Sequence, residues 1–117
     1  MNPQFAQEFA DEWIAAWNAH DLPRVLRLYC DDFTMQSPYI AIIAGEASGR
    51  LQGKNAVGAY WQAALARMPE LRFELLAVLS GVDSLVVHYR SAGAKLAAEY
   101  FEFDAAGKVR RAAAHYA

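Results

Sequence analysis

The chain has 117 residues, 56% of them hydrophobic and 21% charged, with a formal net charge of −2 and a single cysteine. That length suits one domain, and a composition more apolar than the roughly 45–50% of ordinary domains must hide apolar surface in an interface, a cavity or both. The charge gives no footprint for nucleic acid, Cys30 alone makes no internal disulfide, and no apolar run reaches the roughly 18 residues of a membrane span.

The N-terminal MNPQFAQEFADEW is acidic and amphipathic, with no basic region leading into an apolar one, so the expected location is the cytoplasm. Asn2-Pro3 reads as the N-cap and first-turn proline of a helix. Phe5, Phe9, Trp13 and Trp17 form one stripe of it with Ala6, Ala10 and Ala16. Asp21-Leu22-Pro23 starts a short second helix with Leu22, Val25, Leu26 and Tyr29 inward. DFTMQSP reads as a strand ended by Pro38, in which Met35 and Ser37 share the inner face. Residues 39–53, YIAIIAGEASGRLQG, read as a long loop whose Ile40, Ile42 and Ile43 cover a cavity mouth or a partner subunit. KNAVGAYWQAALARM is a third helix, closed by Pro69, with Val57, Tyr60, Trp61, Ala64, Leu65 and Met68 as its apolar stripe. Four strands follow, LRFELLAVLS, DSLVVHYR, AKLAAEYFEF and GKVRRAAAHY, joined by hairpin-length connections. The order ααβαββββ predicts one α+β domain over residues 1–117, with helices on one face of a curved sheet.

In AKLAAEYFEF, Ala97, Glu99, Phe101 and Phe103 share one strand face, and Ala98, Tyr100 and Glu102 share the other. Glu99 therefore sits on the more apolar side. If SAGA closes the preceding hairpin, Val86 lies opposite Glu99 and His88 opposite Ala97, which makes His88 a same-face neighbour about 7–8 Å away at the backbone. Glu99 and His88 then form an acid–base pair suited to proton transfer near neutrality. The alternative is structural, with His88 bonded to a core partner and Glu99 tied to Tyr29 or to Trp13 Nε1–H. The same register puts Leu85, Val87 and Tyr89, with Leu76 and Val78, on the outer face and predicts a homodimer through it. Cys30 reads as a structural thiol. His20 reads as exposed, and His115 faces away if Tyr116 faces the cavity. Three scattered histidines without ligand spacing, and a GEASGRLQG segment lacking a phosphate-loop ending, predict neither metal nor cofactor.

Three segments, WNAHDLPRVLRLYCDDFTMQSP, LQGKNAVGAYW and EYFEFDAAGKVRRAAAHY, together resemble the nuclear transport factor 2-like superfamily. Its members include ketosteroid isomerases, SnoaL-like polyketide cyclases and limonene epoxide hydrolase. The resemblance covers essentially the whole chain, looks nearest to the small SnoaL-like proteins of unassigned activity, and implies a cone-shaped fold whose curved mixed or antiparallel sheet and helices surround a cavity. Carried over from ketosteroid isomerases, it places Glu99 on the oxyanion-binding acid, Trp13 where a tyrosine stands, and Ser37 where an aspartate shuttles the proton. The usual isomerase mechanism is therefore not retained. The aspartate–arginine–aspartate set of limonene epoxide hydrolase finds only Glu99, since Arg90, the nearest arginine, reads as solvated. The cyclases, which rely on one acid, are compatible with a lone Glu99. The resemblance also puts Tyr29 behind the oxyanion site. Trp13, Trp17, Tyr29, Met35, Ser37, Tyr39, Tyr60, Trp61, Phe101 and Tyr116 are the expected ligand-binding residues. The reading is a domain that binds a small hydrophobic metabolite and isomerises, cyclises or hydrolyses it. The alternative is a non-catalytic ligand-binding or dimerisation module.

Overall fold

Three helix-start signals in the sequence are used in the computed structural model, which describes residues 1–117. Asn2 Oδ1 accepts the Gln4 N–H at 2.8 Å and opens α1, Pro3–Asn18. Asp21 accepts the Arg24 N–H at 3.1 Å and opens α2, Leu22–Leu26. Ser37 accepts the Tyr39 N–H at 3.2 Å and opens α3, Pro38–Ile43. The fourth helix, α4 (Lys54–Arg67), follows Gly53, whose φ of 89° suits a residue without a side chain. The strands are β1 Tyr29–Gln36, β2 Arg50–Gln52, β3 Glu74–Ser80, β4 Ser84–Arg90, β5 Leu96–Phe103 and β6 Val109–Tyr116.

They form one mixed sheet in the order β2-β1-β6-β5-β4-β3. The β3–β6 meander is antiparallel throughout, and β1 runs parallel to β6 with Met35 beside Ala112. Register shifts interrupt the ladder at Leu76 in β3 and beside Glu102 between β5 and β6. Such bulges bend and twist a sheet, and the concave side receives the helices. On that side Phe9 meets Phe101 and Phe103 edge-on at 4.8 and 5.0 Å, and Trp13 meets Tyr89 and Phe101 at 5.1 and 5.3 Å. From α4, Trp61 reaches Trp17 at 5.2 Å and Tyr29 at 5.3 Å. Burying each of these aromatic side chains contributes about 1.5–3 kcal/mol, and together they join α1, α4 and the sheet in one core. The α+β architecture and the meander are as expected from the sequence.

Two expectations are corrected. Residues 39–53 are not a structureless loop: they include all but the first residue of α3 and the edge strand β2, which pairs antiparallel with β1 through Met35 and Leu51. The β4–β5 register is also one residue away from the predicted one. The turn is five residues, Ser91–Lys95, closed by Ser91 N–H to Lys95 O at 2.7 Å, with Gly93 and Ala94 at φ of 73° and 61°. Val87 rather than Val86 therefore lies opposite Glu99, and His88 lies opposite Ala98. A one-residue slip exchanges the two faces of a strand. Leu85, Val87 and Tyr89, expected outside, are core residues, and half-buried His88 is on the outer face. Val78, paired with Val87, belongs to the inner side as well, whereas Leu76 remains outside at 39% exposure.

Candidate functional site

Between α1, α3, α4 and the concave sheet lies a cavity of about 290 Å³. Of the expected residues, Trp13 and Trp17 reach its wall from α1, Met35 from β1 and Tyr39 from α3. Tyr60 and Trp61 come from α4, and Tyr116 from the end of β6. Three expected residues lie behind the wall. Phe101 is sealed between Phe9 and Trp13. Tyr29 is fully buried, and its hydroxyl accepts Trp13 Nε1–H at 3.0 Å. Ser37 is buried and accepts the Tyr60 hydroxyl at 3.3 Å. Ile42 and Ile43 reach the wall from α3, while Ile40 is core.

Glu99 is on the wall, 4% exposed. Alternation along β5 puts it there, in line with Ala97 and Phe101. Its Oε1 accepts the Tyr89 hydroxyl at 3.2 Å, and its Oε2 makes no hydrogen bond to protein. Burial pushes the carboxyl from its ordinary 4.5 up to about 8, against the Tyr89 hydrogen bond, which pulls it down. At pH 7 the group is then neutral about nine-tenths of the time. Burial first, and the nearby Glu99 after it, also holds the phenols of Tyr29, Tyr60, Tyr89 and Tyr116 above their ordinary range. Elsewhere around the cavity the Tyr60 hydroxyl donates to Ser37 Oγ at 3.3 Å.

Glu102, three residues along the same strand, provides the contrast. It faces outward, where burial raises its carboxyl pKa but Arg111 and Arg110 more than offset this and hold it below the ordinary range. One strand thus carries a neutral acid inside and a charged carboxylate outside.

His88 takes no part in the site, because the corrected register places it across the sheet from Glu99. No imidazole contributes to the shift of Glu99. Arg90 is exposed beside Glu74 at 3.7 Å, as its solvated reading required. His20 is exposed, with Nε2 2.8 Å from the Leu71 carbonyl, and His115 points away from the cavity. Burial and a contact to Asp32 push the Cys30 thiol up, which suppresses thiolate chemistry. The main residue missed from sequence is Tyr89, the partner of Glu99; Phe73, Arg67 and Lys95 also join the wall. Trp17 Nε1–H is the one buried side-chain polar atom without a partner, a cost of about 1–3 kcal/mol accepted beside the cavity.

The sequence pattern of the SnoaL-like domain matches residues 10–117. The chain belongs to the SnoaL-like family. A SnoaL-like protein of unknown function from Burkholderia thailandensis is 55% identical and superposes with a TM-score of 0.95, over 99% of this chain and 97% of that one. A protein of unknown function with a cystatin-like fold, from Methylobium petroleophilum, is 17% identical with a TM-score of 0.79, over 100% and 78% of the two chains. The epoxide hydrolase/cyclase-like enzyme SalBIII, of pyran ring formation in the polyether salinomycin, is 16% identical with a TM-score of 0.77, over 99% and 93%. The last two likenesses establish the shared fold alone. No curated protein sequence matches the chain. No helix of this SnoaL-like domain is long and apolar enough to cross a membrane.

Proposed function

We propose that this SnoaL-like domain binds a small hydrophobic metabolite in its cavity and that neutral Glu99 donates a hydrogen bond to a carbonyl or developing enolate oxygen of that ligand. The supporting observation is Glu99 itself, a buried carboxyl on an apolar wall, bonded to one phenol and to no cation. A donor already fixed in a dry site stabilises an oxyanion without reorganising at the moment of reaction. The Tyr89 hydroxyl, donating to Oε1, makes the remaining O–H a stronger donor. A single acid suits chemistry in which the proton given to a ligand oxygen returns from the same ligand, as in isomerisation or cyclisation. Binding without turnover is the second reading, favoured by the position of His88, which leaves Glu99 without a basic partner on the wall.

Butyrophenone, a one-ring ketone, is a suitable probe, titrated against the indole N–H signals of Trp13, Trp17 and Trp61 by NMR. Glu99→Gln keeps a donor and should hold its affinity within about threefold, whereas Glu99→Leu should weaken it about tenfold. Equal affinity of the Leu variant and the parent would overturn the role of Glu99. Two further expectations belong to this reading: a location in the cytoplasm, and a homodimer through the outer sheet face. On that face Val86, Tyr100 and Ala113 form one cross-strand row, and His88, Ala98 and His115 the next. Small apolar side chains interleaved with a tyrosine and few charges suit a protein–protein interface.

A further inference from the structure

We propose that the ligand is an oxo-carboxylate, its carboxylate held at the cavity mouth by Arg67 and Lys95 and its oxo group reaching Glu99; this rests on the binding reading above. Apart from tyrosine hydroxyls and tryptophan indoles, the wall carries four polar side chains, Arg67, Ser91, Lys95 and Glu99. Arg67 comes from the last turn of α4 and Lys95 from the β4–β5 turn, so separate elements bring two cations to one opening. Both are exposed, and neither lies within 4.0 Å of a carboxylate, unlike Arg24, Lys54, Arg90, Arg110 and Arg111. Arg67 also borders the open groove beyond the mouth, together with Ser91 and Ala92. Lys95 Nζ donates to the Tyr39 hydroxyl at 3.4 Å, and the Tyr39 ring stands edge-on to Tyr116 at 4.7 Å. The ammonium is thereby held against the wall.

A solvated surface cation by itself implies no ligand. What makes these two informative is the rest of the cavity. The chain has 13 acidic residues, yet only Glu99 reaches this wall, and burial keeps it neutral. The groove outside carries Glu70 and Glu74 with Arg72 and Arg90, and past it, on the cavity wall, an entering anion meets two cations, no ionised carboxylate, and then an aromatic interior. A dication or amine would meet the reverse. The volume of about 290 Å³ is at the small end of ligand pockets, which fits one ring or a short chain between the two polar ends.

The test compares benzoylpropionate with its methyl ester and with butyrophenone, titrated against the same indole signals. Benzoylpropionate should bind about fivefold to tenfold tighter than the ester, and the preference should shrink as salt is raised. The double variant Arg67→Gln/Lys95→Gln should bring benzoylpropionate down to the affinity of the ester, with its amide spectrum as evidence of folding. Equal affinities of acid and ester for the parent protein, or a preference that survives in the double variant, would overturn the anion assignment while leaving the cavity as a binding site. Failure of all three probes to bind would overturn both readings.

Discussion

Replacing Glu99 by Gln preserves the size of the side chain and an oxygen to accept the Tyr89 hydroxyl, and it removes the only group on the wall that titrates near neutral pH. The carboxyl ionises at about 8 when folded, against an ordinary 4.5. Below 4.5 both folded and unfolded chains hold the proton, and Glu99 has no influence on the balance. Above that value the unfolded chain releases its proton while the folded chain keeps it, so stability falls as pH rises until the folded group also ionises. At pH 7 the loss spans about 2.5 pH units at roughly 1.36 kcal/mol each, or about 3 kcal/mol, and it levels off near 5 kcal/mol above pH 8. Glu99→Gln avoids this loss. Urea unfolding followed by tryptophan fluorescence should show the two proteins equally stable near pH 4. The variant should lead by about 3 kcal/mol at pH 7, a midpoint shift of about 1.5 M. Other groups titrate alike in both proteins and cancel from the difference. A difference that does not grow between pH 5 and pH 8 would mean that Glu99 ionises normally, and the neutral-donor site would fall with it.

The strand register is tested by Val87→Ala and His88→Ala: the first should cost about 2 to 3 kcal/mol and the second under about 1, and a reversed order would return His88 to the cavity. The outer-face dimer is tested by sedimentation, where the parent chain should behave as a dimer at micromolar concentration and Ala98→Arg, on the middle strand of that face between His88 and His115, as a monomer. A monomeric parent would refute the interface.

Much of the fold was legible because its signals are local. Asn2-Pro3 and Asp21-Leu22-Pro23 announce helices through capping chemistry, and Phe9, Trp13 and Trp17 keep helical spacing on the buried face of α1. In β5 polar and apolar residues alternate well enough to turn Glu99 inward. The parallel pairing of β1 with β6 joins residues far apart in the chain and has no local signal. The α3 segment PYIAII is too short for a periodicity to show, although Ser37-Pro38 ahead of it is a sound helix start. In β4 the run Leu85-Val86-Val87 is apolar at both parities, so patterning cannot choose its inner face. The choice falls to the turn, and there the left-handed residue beside Gly93 is Ala94, a type that does not signal such a conformation. One extra residue in the turn then exchanges His88 for Tyr89 beside Glu99. A titrating imidazole would have offered Glu99 a proton acceptor and drawn it towards its charged form. A phenol kept neutral by burial offers it a hydrogen bond and leaves desolvation in control. The chemistry open to the cavity is therefore decided by the length of a surface turn, through the face of β4 that the turn presents.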